Sequence, residues 1–312
     1  MKTWKNAWQE FKGSVYHNFD FPLKRIFVYI EENQKIIAGI SATEHSIKTI
    51  FGEKKILQAH GNPFFKNSSS LNSLLEKFKE ESKKYFYATV MPSPLNTLEK
   101  EFIEAGFNKT INHTILISLL KNEEELFQAL EKKSSRWGVK QAEKNNLKFS
   151  LATENEVNSF YNLYKSTADL GKFKSESEDF LISLRDTDFS KLFLIKQADK
   201  IIAGGLILID SSGYSILDLT GASEEGLKLQ AMPFLYWNLI KYSKSLGLKY
   251  FDLGGYDSEA KEGDKTYNIN KFKERFGGAV MEQPVYSTNW KYPFFRNLMK
   301  HLRFIKKIYK KQ

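Results

Sequence analysis

The stretch FDLGGYDSEAKEGDKTYNINKFKERFGG, Phe251 to Gly278, sets Asp252 beside and Lys273 between two glycine pairs. Its apolar start, YFDL, runs into Gly254 and Gly255, which permit backbone conformations and close approaches that a Cβ would block. Strand ends facing a crevice are where open α/β sheets place ligands. A cation such as Lys273 beside backbone N–H groups can stabilise negative charge there. The same residues also fit a glycine-lined turn with a solvated loop, and Gly277 and Gly278 read as an ordinary helix C-cap.

An internal duplication supplies the elements that must position these residues. KIIAG occurs at Lys35 to Gly39 and at Lys200 to Gly204, each time after an apolar strand and a polar turn; KYF occurs at Lys84 to Phe86 and at Lys249 to Phe251, each time after a helix-like segment. Both pairs are 165 positions apart. Two matches at one offset indicate a repeated α/β unit of strand, turn, strand, further strand, helix, strand, helix, strand. The first copy fills residues 1–120 and the second 148–290, with 121–147 as a helical linker whose acids come early and whose bases come late, as the helix dipole favours. Set against YATVMPSPLNTLEKEFIEAGF of the first copy, the loop after KYF is about six residues longer in the second. Glycine and cation flank a strand end in that copy alone.

Composition narrows the chemistry. The 312 residues are 41% hydrophobic and 14% aromatic, enough for two real cores at roughly 100–200 residues per domain. There is no cysteine, which excludes disulfides, a thiolate nucleophile and cysteine-ligated zinc. His60, in QAHGNPFF, has no second or third ligand spaced for a metal and reads as a turn histidine, so no metal is expected. The start, MKTWKNAWQEFKGSVYH, lacks a secretory h-region, and no run reaches the ~18 consecutive apolar residues of a membrane span, so a cytoplasmic protein is expected. Phosphate-loop, HExxH and GxSxG patterns are absent from the sequence.

FDLGGYD followed by NINKFKERFGG resembles the signature of the FemABX peptidoglycan bridge-forming aminoacyl transferases and their relatives, and KKSSRWGVKQAEKNNLKF resembles the basic segment that leads into that family's second domain. The resemblance implies an α/β fold of two tandem GNAT-like (acyl-CoA N-acyltransferase) domains, in agreement with the duplication. It also implies transfer of an aminoacyl or acyl group to an amine of a cell-envelope precursor, peptidoglycan or surface polysaccharide, with aminoacyl-tRNA as donor in the bridge-forming members. Lys273 matches the family's lysine next to the reacting ester, with Phe272 beside it. Arg136 and Lys140 fall in the segment that can meet substrate phosphates, and from their place at the strand end Gly254, Gly255 and Tyr256 are expected to border the substrate. Asp252 either orients the acceptor amine or caps its own turn, and Tyr256 is equally a surface-loop tyrosine. Trp137 is expected to pack the linker helix. Amine attack on an ester builds negative charge on the carbonyl oxygen, which a fixed cation stabilises, so histidine is dispensable.

The sequence departs from the related folds in two places. DLTGASEEGLKLQAMPFLYW offers no Q/R-x-x-G-x-G/A loop to cradle a CoA pyrophosphate at a helix N-terminus, which disfavours acetyl-CoA. No long coiled-coil arm interrupts the second copy. The donor is therefore open between aminoacyl-tRNA and an acyl thioester, with no further cofactor expected. A CoA- or carrier-protein-dependent N-acyltransferase is the competing enzyme, and an inactive basic membrane- or RNA-binding scaffold the competing non-enzyme.

The net charge of +10 is a property of the tail. From Trp290 onward there are eight Lys/Arg and no acid, leaving 39 basic against 37 acidic groups in the other 289 residues. At 100° per residue 291–312 sorts as an amphipathic helix, with Phe295, Leu298, Met299, Leu302, Ile305 and Tyr309 on one face and Arg296, Lys300, Arg303, Lys307, Lys310 and Lys311 on the other. Such a helix either docks on the body or lies on anionic lipid at the inner face of the membrane.

Overall fold

The computed structural model describes residues 2–49, 52–171 and 174–298. The chain divides into two compact units, Met1–Asn112 with Glu282–Gln312, and His113–Met281. The first unit contains α1 (Lys2–Glu10), β1 (Arg25–Glu32), β2 (Lys35–Thr49), β3 (Gly52–His60), β4 (Phe64–Phe65), α2 (Ser68–Ser82), β5 (Ala88–Met91) and α3 (Glu99–Glu104). β6 (Asn108–Ser118) leads into the second unit, which holds α4 (Glu123–Ala129), α5 (Trp137–Lys144), β7 (Lys148–Leu151), α6 (Val157–Gly171), α7 (Glu178–Leu184), β8 (Asp186–Thr187), β9 (Ser190–Gln197), β10 (Lys200–Asp210), β11 (Tyr214–Ala222), α8 (Glu224–Lys228), α9 (Ala231–Ser245), β12 (Tyr250–Tyr256) and α10 (Lys265–Glu274). β13 (Ala279–Ser287) returns the chain to the first unit from Glu282 on.

Strand order in the first unit is β1-β2-β3-β5-β13, with β4 beside β2, and in the second β6-β12-β11-β10-β9-β7, with β8 beside β9. Local chemistry explains the joints. Asn33 and Gln34 both take positive φ, the two-residue turn whose twist suits the β1–β2 hairpin. Asn67 and Asn122 cap α2 and α4 in reciprocal capping boxes with Ser70 and Glu125. In the first unit Leu71, Leu74, Leu75 and Phe78 of α2 pack on β2, β3 and β5. In the second, Leu235, Leu239 and Ile240 of α9 share a core with Ile195, Ile207, Leu217, Phe251 and Leu253. On the opposite face α6 comes close enough to β11 that a Cβ at Gly221 would lie 2.6 Å from the Tyr164 amide nitrogen.

The elements recur in one order: β1, β2, β3, α2, β5, α3 and then β9, β10, β11, α9, β12, α10. KIIAG opens β2 and β10, and KYF leads into β5 and β12. The division into units departs from the expected 1–120, 121–147 and 148–290 because strand pairing decides membership. β6 pairs with β12 through Leu116 and Asp252, whereas β13 pairs with β5 through Tyr286 and Val90. The final strand of each copy therefore belongs to the other unit, and residues 121–147 belong to the second.

Of the expected C-terminal helix, 291–298 is described and helical, and 299–312 lies outside the described residues. Its faces differ from the sequence expectation. Phe295 packs edge-on against Phe86 at 5.1 Å, and Arg296, assigned to the solvated face, donates to the Ile111 carbonyl and to Asn112 Oδ1, the latter at 2.9 Å. The large hydrophobic residues turned outward are Trp290, Phe294 and Leu298.

β13 carries Tyr286, fully buried and stacked on Phe102 at 4.2 Å, with no hydrogen-bond partner for its hydroxyl among the described residues. Tyr286→Ala should cost about 3–5 kcal/mol in urea unfolding through the cavity it leaves. Tyr286→Phe, which removes only the unpaired buried oxygen, should be neutral or stabilising.

Candidate functional site

β11 and β12 run parallel and pair at three positions only, Tyr214 with Tyr250, Ser215 with Phe251 and Ile216 with Asp252. Each then continues with its outer neighbour, β11 with β10 as far as Ala222 and β12 with β6 as far as Tyr256. Both continuations slip register at the parting. On β11 Asp218 is the extra residue, since Leu206 pairs with Leu219 and Ile207 with Leu217. On β12 the slip falls between Asp252 and Gly255 and contains Gly254 at φ +76°. Bulges of this kind bend strands and re-aim side chains, and they favour glycine where φ is left-handed. The first unit differs at the corresponding strand end. There β3 and β5 pair at four positions and stay joined by a bond from Gly61 N to the Met91 carbonyl at 2.9 Å.

Strand alternation places Asp252 on the face opposite the α9 core, because Phe251 and Leu253 on either side belong to that core. It is 4% exposed. Its Oδ1 accepts from the Thr114 hydroxyl and, at 2.7 Å, from Gly254 N. Burial raises its pKa, and these two donors and Lys273 pull it back. Lys273, near the end of α10, donates to the carbonyls of Gly254 at 3.1 Å and Gly255 at 2.8 Å. Burial lowers its pKa to about 8 against the opposing pull of Asp252. An ammonium has three N–H donors, and these two carbonyls engage two of them. Gly255 has open surroundings: a Cβ there would meet nothing within 4 Å.

The loop before α10 is clamped by Asn270, whose side chain donates to the Asp257 carbonyl at 2.7 Å and accepts from Asp257 N at 3.2 Å. Tyr256 donates to Glu274 Oε1 at 2.9 Å, and the bond to this carboxylate raises its pKa. Phe272 packs edge-on against Tyr236 at 5.1 Å and Phe276 at 5.2 Å, so it anchors α10 to the core. Gly277 does take positive φ after the helix, but the pair also permits close packing. A Cβ at Gly277 would lie 2.8 Å from Ala129, and one at Gly278 2.5 Å from Ile115.

The structure thus brings Asp252, Gly254, Gly255 and Lys273 together, with Tyr256 and Phe272 on the same strand and helix. Arg136 and Lys140 take other partners. The Arg136 guanidinium donates to the carbonyls of Gln128 and Leu130 and to the Gln128 side chain, satisfying the C-terminal end of α4. Lys140 Nζ lies 6.0 Å above the Phe127 ring. Trp137, expected to be packed, is half exposed.

Asp218 and Thr114 were not singled out from the sequence. Asp218 is solvent-exposed, standing in the bulge of β11. Desolvation by the surrounding protein, aided by the charge of Glu176, raises its pKa to about 7. Its charge also helps raise the pKa of Tyr164 on α6, after burial of that hydroxyl and the charge of Glu176. A lone acid in the apolar run SILDLT was the available signal. Among the described residues no group of three or more His, Asp or Glu is arranged to hold a metal ion.

No family model and no curated protein matches this sequence. Solved structures do. FemX superposes with a TM-score of 0.69 at 14% identity, covering 95% of this chain and 93% of that one. L-PGS from Bacillus licheniformis superposes at 0.65 with 14% identity, covering 96% and 95%. The C-terminal domain of an Agrobacterium fabrum protein described as a lysylphosphatidylglycerol synthetase gives 0.63 at 15% identity, covering 88% and 87%. The chain therefore has the mixed α/β fold of these proteins across nearly its whole length.

The lysine makes a linkage prediction. Its pKa is about 8 when folded against an ordinary 10.5, so between these values the folded chain binds fewer protons than the unfolded one. Stability therefore rises with pH across this window and is flat below it. Relative to Lys273→Met, the parent should gain up to about 3 kcal/mol between pH 8 and pH 10.5, read from urea unfolding of both proteins at the two ends.

Proposed function

We propose that the chain transfers an aminoacyl or acyl group from an activated ester to an amine of a cell-envelope precursor, using two tandem GNAT-like domains of which the second is catalytic. The observation that carries this reading is the parting of β11 and β12, with a partly buried ammonium, Lys273, bonded to the end of β12 and a carboxylate of near-neutral pKa, Asp218, in the bulge of β11. The shared fold of FemX and of proteins named for lysylphosphatidylglycerol synthesis supports the same class of chemistry.

In this mechanism the acceptor nitrogen attacks the ester carbonyl carbon. A C–N bond forms, and the carbonyl electrons move onto oxygen, where the remaining N–H of Lys273 stabilises them. Asp252 holds the lysine's charge in place from the strand behind. Asp218 takes the proton that the nitrogen sheds and returns it to the leaving oxygen as the C–O bond breaks. Positioning does the rest, since a neutral amine is already a competent nucleophile.

The donor follows from α9. A CoA pyrophosphate on this fold needs free amides at that helix N-terminus. Here Pro233 has no amide hydrogen, and α5 packs so closely that a Cβ on Gly138 would lie 2.9 Å from the Pro233 ring. This favours aminoacyl-tRNA or another ester donor over acetyl-CoA. In titration calorimetry acetyl-CoA should show no micromolar binding, and tight binding coupled to turnover would replace this donor with the thioester.

Activity should be bell-shaped in pH, rising as Asp218 ionises near 7 and falling as Lys273 loses its proton near 8. Asp218→Asn should abolish the acidic limb. Lys273→Met should lower the rate about 100-fold or more with the fold intact. Parental pH profiles in both variants would remove these two residues from the mechanism.

A further inference from the structure

Helix 291–298 is apolar on two sides, and the first unit accounts for one of them. Tyr292 packs edge-on against Tyr87 at 5.3 Å, Phe295 does so against Phe86, and Lys291 Nζ sits 5.0 Å above the Phe86 ring. Asn289 starts the helix, accepting from Lys291 N at 3.0 Å and donating to the Phe86 carbonyl at 3.3 Å. With Arg296 bonded at Ile111 and Asn112, this face is fully engaged. Opposite it, at four-residue steps, stand Trp290, Phe294 and Leu298, exposed by 63%, 52% and 37%. Trp290 and Phe294 meet edge to face at 5.7 Å, so the strip is continuous.

From this arrangement we infer that Trp290, Phe294 and Leu298 form a contact surface for the headgroup boundary of an anionic lipid bilayer. The docked face fixes the helix on the body, so the outward strip is presented without the cost of ordering a free tail. Tryptophan and phenylalanine suit a boundary that is apolar on one side and wet on the other. Charge selects the occupant. From Trp290 on the sequence carries eight basic groups and no acid, while the remainder is nearly balanced; Lys291 and Arg296 are held on the docked face and the other six follow the strip in sequence within 300–312, outside the described residues, so this end of the chain attracts a negatively charged surface. The same charge argues against a second copy of this chain, because joining two strips would bring two such basic segments together. The inference stands on the helix alone and is independent of the transfer reaction.

Flotation of the full chain with vesicles tests it without reference to turnover. The parent should float with mixed phosphatidylglycerol–phosphatidylcholine vesicles, far less with phosphatidylcholine alone, and less as salt screens the charges. The double variant W290S/F294S removes exposed apolar area while keeping every basic group, and should lower the partition coefficient about 10-fold or more at an unchanged melting temperature. Phe295→Ala, on the docked face, should lower the melting temperature instead. Parental fluorescence should shift to the blue on vesicle addition, and the shift should be lost in Trp290→Phe. Parental flotation of the double variant would overturn the inference, as would equal binding to neutral vesicles or a dimer in solution that the double variant abolishes.

Discussion

Two parallel strands that pair for three residues and then separate constrain everything else in the second unit. A separating pair leaves inner backbone groups without ladder partners, and such groups must find water, side chains or a ligand. Here each strand remains anchored by its outer neighbour, β10 or β6, and each absorbs the change of direction in a bulge. The bulge on β12 demands a left-handed residue, which Gly254 supplies. The carbonyls of Gly254 and Gly255 are then met by Lys273 rather than by another strand.

That substitution of a cation for a strand ties fold to chemistry. Lys273 is held because it satisfies backbone carbonyls, and it is depressed in pKa because holding it there removes water. Asp252 sits between the two demands, buried enough to be raised in pKa and bonded well enough to remain a useful counter-charge. Around them the second copy invests in positioning: Asn270 clamps the loop, Phe272 seats α10, and Gly277 and Gly278 let the following chain approach Ala129 and Ile115. Replacing any of these would move Lys273 without touching it.

The first unit shows the same elements without the opening. Its parallel strands stay bonded to their ends, and a Cβ at Gly61 would lie 2.1 Å from the Ser14 hydroxyl, so the chain from the N-terminus covers that point. His17 in this cover is fully buried, accepts from Ser41 N at 3.1 Å, and has a pKa lowered by burial to about 3. The first unit thus has this strand end covered by its own side chains, and the second has its strands parted.

Some of this was written in local sequence. Repeats at one offset reported the order of elements, because identical short segments fold into identical strands and turns, and glycines beside a strand end reported the bulge, because a left-handed φ is a local demand. Asp252, Gly254, Gly255 and Lys273 could be read together for that reason. Partnership across the chain could not be read. Arg136 looks like a free cation in KKSSR but caps α4, and Arg296, sorted by periodicity onto the solvated face of the tail, is bonded at Ile111 and Asn112 because docking decides which side chains meet solvent. The same holds for the exchange of β6 and β13 between units, which depends on strand pairing between distant segments, and for Asp218, an ordinary acid in the sequence that stands in the β11 bulge, where the surrounding protein and the charge of Glu176 raise its pKa. Sequence alone marked Asp252, Gly254, Gly255 and Lys273, through backbone conformation and residue type, and left Asp218 unmarked; the tertiary structure decided which residues meet, because burial and pairing are properties of neighbours far away in the chain.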